Sequence, residues 1–117
     1  MSKPILSPSK KIGQFIYVSG QVGFKPGTSE LAGEDVKSQA IQAAANIEAV
    51  LSTYNIGMEN IVKANCYLTD MANYDEFNEA YGEKFVSAPV RTCVAVKALP
   101  FGALCEIEVI ASLEKIE

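Results

Sequence analysis

The sequence contains no histidine among its 117 residues. This absence removes the commonest general base, the Ser/His and Cys/His nucleophile pairs, and most transition-metal sites. Any chemistry must therefore use carboxylates, arginine, water or the backbone, and we predict no metal site.

Long apolar runs and excess basic charge are also absent. No run approaches the roughly 18 residues needed to span a bilayer, and the start "MSKPILSPSK" has no apolar stretch of signal-peptide length. We therefore expect a cytoplasmic protein with no membrane segment. The net charge of -4 argues against a nucleic-acid surface, because phosphate binding is driven by clustered lysine and arginine.

Cysteines are few and widely spaced. Cys66, Cys93 and Cys105 are odd in number and form no CxxC pair, so neither structural disulfides nor a zinc site is expected. The length suits one domain with its own core, and we predict that residues 1–117 form it.

Apolar periodicity predicts the order strand, helix, strand, helix, strand, strand. "QFIYVSGQV" and "NIVKANCYLTD" have strand patterns, and apolar residues recur every three or four positions from about Glu34 to Tyr54, as in a helix. A second helix is predicted after Asn73, which could cap it. "RTCVAVKAL" and "LCEIEVIASL" are predicted to form a hairpin around Pro100-Phe101-Gly102. The apolar stripe of the second helix is Tyr74, Phe77, Tyr81 and Phe85.

Two helices can cover only one face of this sheet. The run "FIYV", however, is apolar toward both faces, and the chain has no spare element for a second cover. We therefore expect identical subunits to pack on the open face.

Arg91 stands at the start of an apolar strand and has two interpretations. It is either a surface arginine whose stem covers apolar area, or an anchor whose planar fork binds a carboxylate through two parallel hydrogen bonds.

Glu106 and Glu108 share one face of their strand, because side chains alternate with period two. They either form a solvated face paired with Lys97 or Lys63, or one of them orients or deprotonates a water near Arg91. An even hairpin register places Glu106 opposite Ala95, on the side of Arg91 and roughly 13 Å from it. Another register places the two on opposite faces, which demands a bulge or a subunit boundary.

Three further positions are candidates for a pocket. Cys93 shares the strand face of Arg91, and we expect a pocket wall rather than a nucleophile, because no histidine can generate the thiolate. Ser19-Gly20 is either a plain strand-end turn or a place where a ligand approaches main-chain N–H groups. Asn78, on the second helix, is uninformative by itself.

The ordered set "YVSGQVG", "MANYDEFNEAYGEKF" and "PVRTCVAVKALPFGALCEIEVIA" resembles the RidA/YjgF family of reactive-intermediate (enamine/imine) deaminases over nearly the whole chain. The resemblance implies a chorismate-mutase-like α+β fold, a mixed sheet with two helices on one face. It also implies a homotrimer with sites between subunits, and no metal or organic cofactor.

By position, the resemblance implies that Arg91 binds the substrate carboxylate and that Glu106 positions the attacking water. Main-chain groups near Cys93 help to hold the substrate, and Ser19, Gly20 and Asn78 complete the pocket. Many members have a pocket tyrosine before the first strand. Counting back from Gly13 places Leu6 there, a departure that bears on substrate range and rate.

The implied reaction hydrolyses 2-imino acids such as 2-iminopropanoate and 2-iminobutanoate to 2-keto acids and ammonia. These imines form from enamines released by pyridoxal-phosphate-dependent dehydratases. The alternative is a non-catalytic module of the same fold that binds small carboxylates or a partner protein, with Arg91 used for affinity only.

Overall fold

The computed structural model describes residues 5–117, which form a sheet layer covered by helices on one side. The strands are β1 (Ser9–Ile12), β2 (Phe15–Gln21), β3 (Ile61–Leu68), β4 (Val90–Ala95) and β5 (Cys105–Ser112). The helices are α1 (Val36–Ser52) and α2 (Tyr74–Lys84), and single 3₁₀ turns occupy Met58–Asn60, Met71–Asn73 and Pro100–Gly102.

Within residues 5–117 the five strands make one mixed sheet in the order β1-β2-β5-β3-β4. β3 and β4 run parallel and the other neighbours run antiparallel. The predicted hairpin of β4 with β5 is wrong, because β3 lies between them and pairs with both. Helix α2 connects β3 to β4, as a parallel pair requires a crossover.

Both predicted helices are present, with small differences at their ends. α1 begins after Asp35, whose carboxylate accepts a hydrogen bond from the Ser38 backbone N–H, and it ends before Asn55, which has a positive φ of 61°. α2 begins at Tyr74, but the Asn73 side chain makes no capping hydrogen bond. Asp70 instead caps the 3₁₀ turn before the helix.

One contiguous apolar core lies between the helices and one face of the sheet. Alternate residues of the strands point into it, because strand side chains alternate between faces, and the helices add Phe77, Ile47 and Leu51. Its fully buried strand members are Ile16, Ile61, Ala64, Cys66, Leu68, Cys105, Ile107 and Ala111.

The other face of the sheet, which we call the open face, carries no helix. The register places Tyr17, Ile110, Lys63 and Val90 in one row across four strands on this face. Tyr17 is 42% exposed and Val90 67% exposed. The run "FIYV" is therefore apolar toward both faces, as predicted, with Ile16 and Val18 buried and Phe15 and Tyr17 exposed.

Candidate functional site

Arg91 lies on β4, the edge strand of the sheet, and its side chain points to the helix side. Its Nη1 donates a hydrogen bond to Asn78 Oδ1 at 2.7 Å, and its Nη2 donates to Tyr74 Oη at 3.1 Å. The guanidinium carbon lies 4.8 Å from the centre of the Tyr81 ring and 5.7 Å from that of Tyr74. Three residues of α2, one or two turns apart, thus hold one cation through neutral groups.

The charge of Arg91 has no acidic partner in the described part of the chain. The ion pair found in residues 5–117 joins Lys25 to Glu30, both largely exposed. A half-buried guanidinium held only by neutral side chains keeps its full charge and several N–H donors for another group. Carboxylate is the group that best matches this fork.

Cys93 lies two residues from Arg91 on the same face of β4, as the alternation predicts. Burial raises the pKa of its thiol, and the nearby Arg91 charge offsets only part of this effect. The neighbouring Cys66 is fully buried, and burial raises its pKa to about 12. Both thiols therefore stay protonated at neutral pH, which argues against a nucleophilic role and is compatible with a pocket wall.

Glu106 lies on β5 and points to the open face, where its register partner is Tyr67. Burial, and secondarily the charge of Glu108, raises the pKa of this carboxyl above its ordinary value. A Cβ placed on Gly20 would lie 2.7 Å from a Glu106 carboxylate oxygen, so only glycine leaves room for the carboxylate in this position. A side chain at position 20 would therefore force the flexible end of Glu106 to move.

The space for this contact comes from a bulge in β2. Val18 pairs with Val109 and Gln21 pairs with Ile107, so Ser19 and Gly20 both lie opposite Glu108. The extra residue stays outside the regular pairing and bends the strand.

Glu108 is held by side chains of β3 rather than by a lysine. Its Oε1 accepts hydrogen bonds from Asn65 Nδ2 at 3.1 Å and from the Tyr67 hydroxyl. This second bond is the main reason that the pKa of Tyr67 rises to about 12. The described residues include no ion pair of Glu108 with Lys63 or Lys97, so the interpretation in which it pairs with one of those lysines is wrong.

Arg91 and Glu106 lie on opposite faces of the sheet within one chain. Arg91 pairs with Ala64, which is buried on the helix side, whereas Glu106 pairs with Tyr67 on the open side. Of the two registers considered, the same-face register depended on the hairpin and is wrong, whereas the register with the two residues on opposite faces agrees with the structure. Three residues along the strand and two strand spacings put the two Cα atoms roughly 14 Å apart, with the sheet between their side chains.

Ser19 forms its hydrogen bonds with the N-terminal segment. Its hydroxyl donates to the Ser7 carbonyl oxygen, and its backbone N–H donates to the Pro8 carbonyl oxygen at 2.9 Å. These bonds fix the chain next to Leu6, which is 66% exposed. In the described chain Ser19 therefore positions the segment that carries Leu6.

The polar ends of the α2 tyrosines are the site features that the apolar pattern did not predict. Tyr74, Asn78 and Tyr81 follow at spacings of four and three residues, so they share one helix face. The same spacing that predicts a core stripe could have indicated two polar groups and one aromatic ring beside a single strand residue.

In residues 5–117 no group of three His, Cys, Asp or Glu side chains is placed to hold a metal ion. Neither helix of the described chain is long and apolar enough to cross a membrane.

Fold and site together define an α+β protein with two helices on one face of a single mixed sheet, an arginine fixed by neutral groups on the helix side, and a partly buried glutamate on the open side. Residues 4–113 match the family described as Endoribonuclease L-PSP, and the chain belongs to this family, whose members include proteins named RidA and YjgF.

Three similar proteins illustrate the match. The chain is 39% identical over 106 residues to "Protein MMF1, mitochondrial" of Saccharomyces cerevisiae, covering 90% of this chain and 72% of that protein. The structure of RidA from a Psychrobacter species has a TM-score of 0.87 at 36% identity, covering 96% and 91% of the two chains. That of Escherichia coli TdcF with bound serine also has a TM-score of 0.87, at 29% identity, covering 95% and 90%.

Proposed function

We propose that this protein hydrolyses reactive 2-imino acids, such as 2-iminopropanoate and 2-iminobutanoate, to 2-keto acids and ammonia. The observation that carries the proposal is the Arg91 guanidinium, which Asn78 and Tyr74 hold in place and which no acidic group within residues 5–117 neutralises. A cation fixed in this way suits the carboxylate of a small substrate. The TdcF relative, solved with bound serine, shows that one protein of this fold accommodates an amino acid.

The proposed site lies between subunits of a homotrimer. Because Arg91 and Glu106 of one chain are separated by the sheet, they can meet around one substrate only if different copies supply them. The exposed apolar residues of the open face, among them Phe15 and Tyr17, offer a surface for such packing. The unpaired backbone edge of β4 beside Cys93 would hold the substrate further.

The reaction needs one water and returns all its protons. Arg91 binds the carboxylate so that the imine carbon faces a water held by Glu106 of a second copy. Glu106 accepts a proton as the water oxygen attacks the carbon, and a carbinolamine forms. Glu106 returns this proton to the nitrogen. The hydroxyl proton of the carbinolamine then also moves to the nitrogen as the new carbon–oxygen double bond forms, the carbon–nitrogen bond breaks, and ammonia leaves the 2-keto acid.

The partial burial of Glu106 suits its proposed role as the base that accepts a proton from the water. A carboxyl whose pKa is raised by burial is, in its ionised form, a better base than an ordinary glutamate. Orientation of the water and the imine supplies most of the rate advantage, because the uncatalysed hydrolysis is already facile. No step requires a metal or an organic cofactor.

The test is keto-acid release from freshly generated 2-iminobutanoate, with the spontaneous rate subtracted. Arg91→Ala should abolish the enzymatic rate and 2-ketobutyrate binding together. Arg91→Lys keeps the charge but lacks the planar fork, so we expect a loss of about 2 kcal/mol in kcat/KM. If the Arg91→Ala protein is folded and hydrolyses the imine at the wild-type rate, the proposed site is wrong.

The alternative is a non-catalytic module that binds small carboxylates or a partner protein through Arg91. It predicts 2-ketobutyrate binding without hydrolysis.

A nuclease role, which the family description suggests, fits poorly with a net charge of -4 and no histidine. The cytoplasm stays the predicted compartment, and the name of the yeast relative places that protein in mitochondria.

A further inference from the structure

Two tyrosines of α2 lie beside Arg91, and their hydroxyl groups differ. The Tyr74 hydroxyl accepts a hydrogen bond from Arg91 Nη2 at 3.1 Å. The Tyr81 hydroxyl is buried and has no hydrogen-bond partner in the described chain. Tyr81 contributes its ring, which lies 4.8 Å from the guanidinium carbon, whereas Tyr74 contributes a polar contact to the cation.

The contact with Tyr74 completes the fixation of the guanidinium plane. Asn78 alone would hold Nη1 and leave the group able to turn about that one bond. With Tyr74 on Nη2, both terminal nitrogens are tied, and the Tyr81 ring limits motion out of the plane. A guanidinium has five N–H donors, so three remain in fixed directions for a ligand.

We propose that Tyr74 is a positioning residue, whose hydroxyl orients Arg91 for two-point binding of the carboxylate of a small 2-imino or 2-oxo acid. This inference rests on the proposed function for the class of ligand. Tyr74 acts through Arg91 and has no separate contact with the substrate. Its hydroxyl therefore affects binding of the carboxylate rather than the chemical step at the imine carbon.

The experiment compares Tyr74→Phe with wild type. Calorimetry with 2-ketobutyrate should show a Kd increased about tenfold, since a hydrogen bond to a charged group is lost. In the imine assay KM should rise by a similar factor while kcat changes little, because the loss affects ground state and transition state equally. A purely structural role would instead lower stability and leave Kd unchanged.

Tyr54→Phe is the matched control. It deletes another hydrogen-bonded tyrosine hydroxyl, one that contacts Ser9 at 2.7 Å, and it should leave the Kd at the wild-type value. The second test repeats Tyr74→Phe in an Arg91→Lys protein. There the hydroxyl has no guanidinium to orient, so Kd and KM should change less than twofold.

The outcomes separate the two proposals. If wild type binds 2-ketobutyrate but hydrolyses no imine, the proposed reaction fails and the Kd comparison still decides the role of Tyr74. An unchanged Kd in Tyr74→Phe overturns the inference. The inference is also overturned if Tyr54→Phe weakens 2-ketobutyrate binding as much as Tyr74→Phe does. The same holds if Tyr74→Phe still raises the Kd about tenfold in the Arg91→Lys protein. A wild-type protein that binds no 2-ketobutyrate overturns both.

Discussion

Arg91 and Glu106 lie on opposite faces of the same sheet, three residues apart along the strands and separated by β3. In the proposed function a single chain therefore contains two halves of a site, and neither half can reach the other through the sheet. This arrangement makes the assembly of several copies a chemical requirement of the proposed reaction.

Mixed subunits test this requirement. Arg91→Ala and Glu106→Gln proteins should each be inactive. When equal amounts are unfolded and refolded together, about a quarter of the sites should combine an intact Arg91 with an intact Glu106 from another copy, giving about a quarter of the wild-type rate. A site built within one chain would gain nothing from mixing, because every chain carries one defect.

Glu106→Gln should lose turnover and gain stability at neutral pH. Because the folded-state pKa of Glu106 is raised by burial, its contribution to stability is fully present below the unfolded pKa and is lost as pH rises through the folded pKa. The glutamine variant should thus melt higher than wild type at pH 7.5 and similarly at pH 4. The wild-type rate should also fall as acid protonates Glu106.

Glu108→Gln is the control for this prediction. Its amide oxygen can still accept from Asn65 and Tyr67, so most of the activity should remain. If the melting difference between wild type and Glu106→Gln is the same at both pH values, the Glu106 carboxylate is not the buried group described above.

Gly20→Ala should lower turnover without unfolding the protein. The new Cβ would meet the end of a flexible side chain, the Glu106 carboxylate at 2.7 Å, which must move away. Gly82→Ala is the matched control, since its Cβ meets nothing within 4 Å. As a glycine replaced inside a helix, it should stabilise the folded protein by about 0.5–1 kcal/mol and keep the wild-type rate. A wild-type rate in Gly20→Ala would show that the position of the Glu106 carboxylate does not matter for turnover.

The open face should govern assembly. Tyr17→Glu places a charge in the middle of this face, where packing would bury it without a partner at a cost of several kcal/mol, so light scattering should report monomers at micromolar concentration. Ile41→Glu, on the outer side of α1 and 37% exposed, should stay at the wild-type mass. A trimeric Tyr17→Glu protein would indicate that copies associate through another surface.

The sequence predicts the helices and central strands well because their burial follows a simple period. β1 was missed because "SKKI" is a charged edge strand with an exposed pattern, and such strands need no apolar alternation. The error on β4 and β5 came from assuming that consecutive strands pair. The stretch from 96 to 104 is longer than a usual hairpin loop, and the strand–helix–strand unit from β3 to β4 satisfies the parallel alternative.

The candidate site could likewise be predicted only in part. The type and spacing of Arg91, Cys93 and Asn78 were visible in the sequence, and the structure brings Arg91 and Asn78 into contact. The face of Glu106 relative to Arg91 was not predictable, because it depends on which strand lies between theirs. The link between Gly20 and Glu106 likewise depends on a bulge that no local pattern announces.

The uncompensated guanidinium of Arg91 also has a practical consequence for solution work. On the proposed function, a cation with neutral neighbours and no acidic partner in residues 5–117 should attract acetate and citrate by the same charge and fork as the substrate carboxylate. We expect buffers that contain such anions to compete in activity assays and to raise the melting temperature, since a ligand at one hundred times its Kd stabilises the folded state by about 2.7 kcal/mol. Affinities for this protein are therefore comparable only when measured in the same counter-ions.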